Sequence, residues 1–219
     1  MKPVAIAVTS DFICPWCWIG HQHLKAALQQ TSGAVAPVIH YLPYELNPNM
    51  RKEGMNRRLY RSTKFGSWAR SQAMDADVTA AGERAGIHFD YERVVLTPNT
   101  RLAHRLMFFA QRGSTPERNA GLYEAIFQGY FSEGKDIGNA VVLADIAASV
   151  GFERDEVITY LAGGDGEAEV ANLEAQAQAS FVRSVPTVRI GDAELTGAQP
   201  AYVFAGALNE AARVARGDL

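Results

Sequence analysis

The stretch that decides the fold lies near the amino end, where residues 4–20 read VAIAVTSDFICPWCWIG. Its first part, residues 4–8, is continuously apolar, which predicts a central strand buried on both faces. Residues 15–30 then follow a helical pattern, and Pro15 suits the first helical position. A strand is therefore expected to run into a helix that begins at a pair of cysteines.

The flanking segments extend this unit. Residues 38–42 predict a second strand, and a strand, a helix and a strand of these lengths form a crossover with parallel strands. Residues 187–196 alternate around Gly191-Asp192, which predicts an antiparallel hairpin. Pro200 then opens a closing helix.

The middle of the chain has helical patterns and no convincing strand pattern. We therefore expect an α/β protein in which residues 1–46 and 166–219 form one domain, and residues 47–165 form a large inserted all-helical domain. Start and stop signals place helices at about residues 99–111, 115–134, 139–150, 154–162 and 166–182.

Composition excludes several classes of partner. The net charge is −3, with acidic and basic residues interspersed, so neither a nucleic-acid groove nor an anionic membrane patch is indicated. Polar residues interrupt the apolar run at residues 4–8 before a signal-peptide core or a membrane span is complete. A cytoplasmic location is expected, with no nucleic-acid or membrane partner.

The chain has two cysteines, Cys14 and Cys17, and their spacing indicates redox chemistry. At a helix start, free backbone amides and the helix dipole favour negative charge, so the Cys14 thiolate is predicted to be the nucleophile. Cys17, one turn further on, is predicted to resolve the mixed disulfide. Pro15 and Trp16, between them, are expected to tune how oxidising the pair is.

The alternative for the cysteines is half of a zinc site. Zinc usually takes four ligands, and His21 is the one plausible third ligand. No metal is therefore predicted.

Two further groups of residues are candidates for binding. A cis peptide bond is predicted before Pro186, and Val185, Pro186 and Thr187 are expected to pair with an extended substrate next to Cys14. A second group comprises Asn99, Arg101 and His104. These side chains either line a cleft between the domains and contact a small thiol or anion, or cap and solvate a helix.

Residues 10–20 closely resemble the active-site segment of DsbA-family oxidoreductases of the FrnE-like branch. The likeness continues in order over nearly the whole chain, through residues 45–50, 53–54, 64–66, 99–106, 122–137, 185–187 and 197–200. It implies a thioredoxin-like fold interrupted by a helical domain, a dithiol-disulfide cycle at Cys14 and Cys17, and a cis-proline at Pro186. It also implies a cytoplasmic member with no tightly bound cofactor.

The function predicted from the cysteines and this resemblance is thiol-disulfide exchange with protein, peptide or small-molecule thiols. Reducing equivalents would be exchanged with glutathione or another cellular thiol, and the reduction potential would lie between about −270 mV and about −120 mV. One alternative is a glutathione-dependent isomerase or kappa-type glutathione transferase, although those enzymes use a serine in place of Cys14. Another is a redox-sensing or chaperone-like binding protein. Residues 181–184 depart from the glycine-rich approach of relatives, which predicts a narrower substrate range.

Overall fold

The computed structural model describes residues 3–217. In chain order its elements are β1 (Pro3–Ser10), α1 (Pro15–Gln30), β2 (Ala36–Pro43), β3 (Met55–Asn56), α2 (Arg57–Phe65), α3 (Trp68–Arg84), β4 (Leu96–Thr97), α4 (Arg101–Gly113), α5 (Pro116–Phe131), α6 (Ala140–Ser149), α7 (Arg154–Ala162), α8 (Glu167–Ala179), β5 (Thr187–Ile190), β6 (Ala193–Thr196) and α9 (Ala201–Arg216).

The described chain forms two compact units. One consists of residues 3–44 and 173–217, and the other of Glu45–Asn172. The sequence analysis placed these divisions after residues 46 and 165. The second division of the structure falls inside α8, which continues without a break from one unit into the other.

The first unit is built on a four-stranded sheet of order β2-β1-β5-β6. β1 and β2 are parallel, with Ile6 opposite Ile39, so the predicted crossover is confirmed. β5 and β6 form the predicted antiparallel hairpin, and β5 also pairs antiparallel with β1. α1 and α9 pack together, and α9 contacts the sheet. The unit is therefore the predicted α/β arrangement.

β1 is central in the sheet, but the prediction that it is buried on both faces is wrong for residues 4–8. Val4, Ile6 and Val8 are buried, whereas Ala5 is exposed and Ala7 is half-buried. The continuous apolar run arises because small alanines occupy the second face. Alternation in size replaces the usual alternation of apolar and polar residues.

The second unit is mainly helical, as predicted, but it is not all-helical. Met55 and Asn56 pair antiparallel with Thr97 and Leu96 to form a short ladder between β3 and β4. Each strand has two residues, which is too short for an alternating pattern to show in the sequence. This ladder corrects the expectation that residues 47–165 contain no strand.

Within residues 3–217, every helix is too short or too polar to cross a bilayer.

Candidate active site

Cys14 occupies the position immediately before the first turn of α1. Its backbone is extended, with φ of −96° and ψ of 108°, and Pro15 follows as the first helical residue. The Cys14 amide donates to the Asp11 carbonyl at 3.0 Å, and the Cys17 amide donates to the Cys14 carbonyl at 3.0 Å. The turn after β1 therefore delivers the sulfur of Cys14 to the amino end of α1, where free backbone amides favour an anion.

The two thiols have different surroundings. Cys14 is 7% exposed and Cys17 is completely buried, and both are free thiols. Burial raises the pKa of Cys17 well above its ordinary value, and a hydrogen bond and the charge of the Cys14 sulfur raise it further. The structure therefore keeps Cys17 protonated while Cys14 is the sulfur nearer the surface.

The segment around Pro186 faces the cysteines. The Val185–Pro186 peptide bond is cis, as predicted, and the Cys14 thiol donates to the Val185 carbonyl across 3.6 Å. The Thr187 hydroxyl donates to the Ser184 carbonyl at 2.8 Å, and the Gly197 amide donates to the Pro186 carbonyl at 2.8 Å. The backbone beside Cys14 is thus held from both sides.

Two residues that the sequence analysis gave no role also shape this site. Asp11 is completely buried; a hydrogen bond to its backbone lowers the pKa of Cys17, and the charge of its carboxylate opposes that by raising it. Gly20 lies under the proline, because a Cβ there would be 3.1 Å from Cγ of Pro186 and 3.4 Å from Cα of Ala198. An acidic residue directly after a buried strand was the available signal for Asp11, whereas the role of Gly20 depends on tertiary contact.

The tryptophans beside the cysteines separate into a surface residue and a core residue. Trp16, between the cysteines, is 43% exposed. Trp18 is buried in the core at 4% exposure. Of the two, Trp16 is available to meet an incoming substrate.

Asn99, Arg101 and His104 lie together at the start of α4 in the mainly helical unit. The Asn99 side chain donates to the Met50 carbonyl at 2.8 Å and accepts from the Arg101 amide at 2.9 Å. Arg101 forms an ion pair with the buried carboxylate of Glu45, and His104 is buried. These contacts place Asn99 in the turn before α4, where Thr100 is the capping residue and makes no side-chain capping hydrogen bond. Burial of His104 contradicts solvation of that side chain. The role of the three residues in a cleft stays a prediction.

The surroundings of His21 bear on the zinc alternative. His21 is buried and its ring lies 6.0 Å from the ring of Tyr41. Across residues 3–217, the structure groups no three His, Cys, Asp or Glu side chains in a way that would hold a metal ion.

Together, these residues place the Cys14 thiol beside the Val185 carbonyl, with the Cys17 thiol buried one turn further along α1. A thiolate at Cys14 is positioned to attack a disulfide sulfur that approaches along Val185. Cys17, one turn deeper in the helix, is positioned to attack Cys14 afterwards. The arrangement suits two-electron exchange between a dithiol and a disulfide.

Comparisons with known proteins agree with this geometry. The family model for the DSBA-like thioredoxin domain matches residues 5–209. The uncharacterized protein YwbO of Bacillus subtilis is 25% identical over 215 residues, which cover 94% of this chain and 96% of YwbO. A probable DsbA oxidoreductase from Streptomyces coelicolor has a TM-score of 0.84 at 25% identity, over 95% of this chain and 89% of its own.

More distant structures share the fold. The cytosolic disulfide reductase DsbM from Pseudomonas aeruginosa, determined with GSH, has a TM-score of 0.64 at 14% identity and covers 98% of each chain.

Proposed function

This chain belongs to the family of DSBA-like thioredoxin domains, and from that premise we propose that it is a dithiol-disulfide oxidoreductase whose reacting pair is Cys14 and Cys17. The observation that carries the proposal is the contrast between the two sulfurs. Cys14 stands at a helix start near the surface, and Cys17 is fully buried with a raised pKa. This contrast suits a nucleophile and a resolving thiol.

In the proposed reduction of a substrate, the Cys14 thiolate attacks one sulfur of the substrate disulfide. A bond forms between Cys14 and that sulfur, and the other substrate sulfur leaves as a thiolate. Cys17 then loses its proton and attacks Cys14, which releases the second substrate thiolate and leaves a disulfide between Cys14 and Cys17. Two electrons pass from the protein to the substrate, and the reverse sequence oxidises a substrate dithiol.

The proposed substrates are protein or peptide disulfides, and Val185, Pro186 and Thr187 would bind them. The Val185 carbonyl accepts a hydrogen bond from the Cys14 thiol across 3.6 Å. Once Cys14 has reacted, a backbone amide of the substrate can donate to this carbonyl instead of the thiol. Exposed Trp16 supplies an apolar surface beside the same sulfur. Backbone pairing would give affinity, and side-chain contacts would add preference among substrates.

We also propose that glutathione, or another small thiol, restores the dithiol after each cycle. DsbM, which has this fold, was determined with GSH, and this supports the choice of glutathione as the first thiol to test. A cytoplasmic location and membership of the FrnE-like branch are proposed on the resemblance of residues 10–20. Cell fractionation tests the location.

The experiment that tests the function compares wild type with Cys14→Ser and Cys17→Ser in insulin reduction and in oxidative refolding of a reduced ribonuclease. We expect wild type to accelerate at least one reaction, and Cys14→Ser to return both to the uncatalysed rate. Cys17→Ser is the matched control, because it removes one sulfur from the same turn but leaves the nucleophile. Full activity of Cys14→Ser would contradict the proposal, and glutathione-dependent isomerisation by that variant would favour the isomerase alternative.

A further inference from the structure

The segment that leads to Val185 contains a backbone outlier. Phe181 has a φ of 61°, and among the described residues it is the one non-glycine residue with a positive φ. Bulky side chains are disfavoured in this left-handed region, which glycine adopts freely. Phenylalanine at this position therefore has a conformational cost that glycine would avoid.

The outlier closes helix α8. The Val182 amide donates to the Ala177 carbonyl at 3.0 Å, and the Phe181 amide donates to the Gln178 carbonyl at 3.0 Å. These two bonds define a Schellman motif with Phe181 at the position where glycine is usual. The motif needs the backbone conformation and makes no use of an aromatic ring.

Core packing does not explain the ring either. Phe181 is 75% exposed, so most of its apolar surface is in water. The guanidinium of Arg183 lies 5.9 Å from the centre of the ring. Arg183 is itself exposed, and within the described chain it forms no ion pair with a carboxylate. An uncovered ring and an available cation thus stand side by side.

This pair lies within reach of a substrate bound at Cys14. Phe181 stands four positions before Val185, so the Cα atoms of the two residues are at most about 14 Å apart. An extended peptide rises about 3.3 Å per residue, so roughly four residues of substrate span that distance. A peptide that pairs with Val185 can therefore place a side chain four residues from its cysteine against Phe181.

From these observations, and resting on the proposed function, we propose that Phe181 and Arg183 determine substrate specificity. They favour polypeptide disulfides that have an aromatic or large aliphatic residue and a carboxylate within about four residues of the reacting cysteine. The apolar residue packs on the ring, and the carboxylate pairs with the guanidinium. Strain retained at a site with no structural use for the side chain is typical of residues selected for function.

The test uses three peptides, each with one cysteine held as a mixed disulfide with thionitrobenzoate. Within four residues on either side of the cysteine, the first carries Phe and Glu, the second Phe and Lys, and the third only Ser. Attack by Cys14 on the peptide sulfur releases coloured thionitrobenzoate and forms the Cys14–peptide disulfide. The second-order rate constants for this single reaction of the reduced protein are compared as ratios between peptides, and Ellman's reagent serves as a small disulfide without flanking residues.

We expect wild type to prefer the Phe and Glu peptide over the Ser peptide by about tenfold, the effect of covering one aromatic ring in part. Phe181→Gly should lower that ratio to the part that the Glu residue contributes through Arg183, and Phe181→Tyr should keep the full ratio because the ring is retained. Arg183→Gln should remove the preference for Glu over Lys. A Phe181→Gly variant that keeps the wild-type ratio would overturn the proposal.

Thermal unfolding distinguishes a specificity role of Phe181 from a structural one, because the two roles predict opposite changes in the melting temperature of Phe181→Gly. Phe181→Gly should raise the melting temperature, because relief of the left-handed conformation outweighs the extra freedom of glycine in the unfolded chain. A lower melting temperature would assign Phe181 to the fold and contradict the proposal. If wild type fails to react with Ellman's reagent, the proposed function itself is wrong, whereas reaction with no preference among peptides refutes this specificity alone.

Discussion

The raised pKa of Cys17 predicts that its attack on Cys14 is the pH-sensitive step of the cycle. Burial is the largest cause of the rise, followed by the hydrogen bond and the charge of the Cys14 sulfur. Once Cys14 is joined to a substrate, its charge disappears, but the burial of Cys17 remains. The pKa of Cys17 therefore stays above that of an ordinary cysteine in the intermediate that must be resolved.

The size of the effect follows from the fraction of thiolate. An ordinary cysteine with a pKa of about 8.5 gains about 30-fold in thiolate between pH 7 and pH 10 and then reaches a plateau. A thiol whose pKa lies well above this value gains about tenfold for each pH unit over the same interval. Resolution by Cys17 should therefore accelerate by more than the about 30-fold expected of an ordinary cysteine between pH 7 and pH 10, and its rate should still be rising where an ordinary cysteine has reached its plateau.

Stopped-flow mixing of the reduced protein with excess Ellman's reagent separates the two steps. The first thionitrobenzoate leaves when Cys14 attacks, and the second leaves when Cys17 attacks Cys14. Cys17→Ser is the matched control and should release the first one only. A second phase that is independent of pH, or that reaches its plateau by pH 9, would refute the assignment of a buried, protonated resolving thiol.

Three other predictions concern stability and packing. In the reduced protein, the folded-state pKa of Cys17 lies above its unfolded value, so the free energy of unfolding should fall by up to about 1.4 kcal/mol per pH unit as the pH rises above about 8.5. Urea unfolding of Cys17→Ala under a phosphine reductant should lack this component, and equal slopes would contradict it. Arg105 is buried and donates hydrogen bonds to the carbonyls of four residues between 160 and 165. Arg105→Met should therefore lower the free energy of unfolding by about 3 kcal/mol. A loss below about 1 kcal/mol would show that water replaces these hydrogen bonds. The side chain introduced by Gly20→Val should clash with Pro186. This variant should lower kcat/KM for peptide disulfides at least tenfold and the free energy of unfolding by about 1–3 kcal/mol. Wild-type kinetics in this variant would exclude a positioning role for Gly20.

The sequence predicts the first unit well, because its signals are local. Pro15 begins α1, and Gly191-Asp192 fixes the hairpin between β5 and β6. The spacing of Cys14 and Cys17 points to the proposed reacting groups without any knowledge of tertiary structure. Each of these features depends on residues a few positions apart.

The helical unit is harder to predict where charges are buried. The buried residues of α3 include Ser71, Asp75 and Gly82, which have helical spacing but are polar or small. The Asp75 carboxylate accepts two hydrogen bonds from Arg57, at 2.9 Å and 2.8 Å, and pairs with Arg61 at 2.9 Å. Apolar periodicity therefore fails to predict α2 and α3, because the faces by which these helices contact each other are joined partly by ion pairs.

Within the site, sequence reasoning identifies the reacting atoms but not their surroundings. The burial of Asp11 and the contact of Gly20 with Pro186 require that strands and helices distant in sequence come together. The left-handed backbone conformation of Phe181 is equally difficult to predict from the sequence, because phenylalanine rarely takes a conformation that is typical of glycine. The two-cysteine motif alone therefore predicts none of these three features.

The most direct test of the division of labour between the two sulfurs is mass spectrometry of Cys14→Ser and Cys17→Ser after brief exposure to glutathione disulfide. We predict that Cys17→Ser accumulates one glutathione on Cys14, while Cys14→Ser stays unmodified because Cys17 is buried and protonated. Equal labelling of both variants, or labelling of Cys17 alone, would contradict the account.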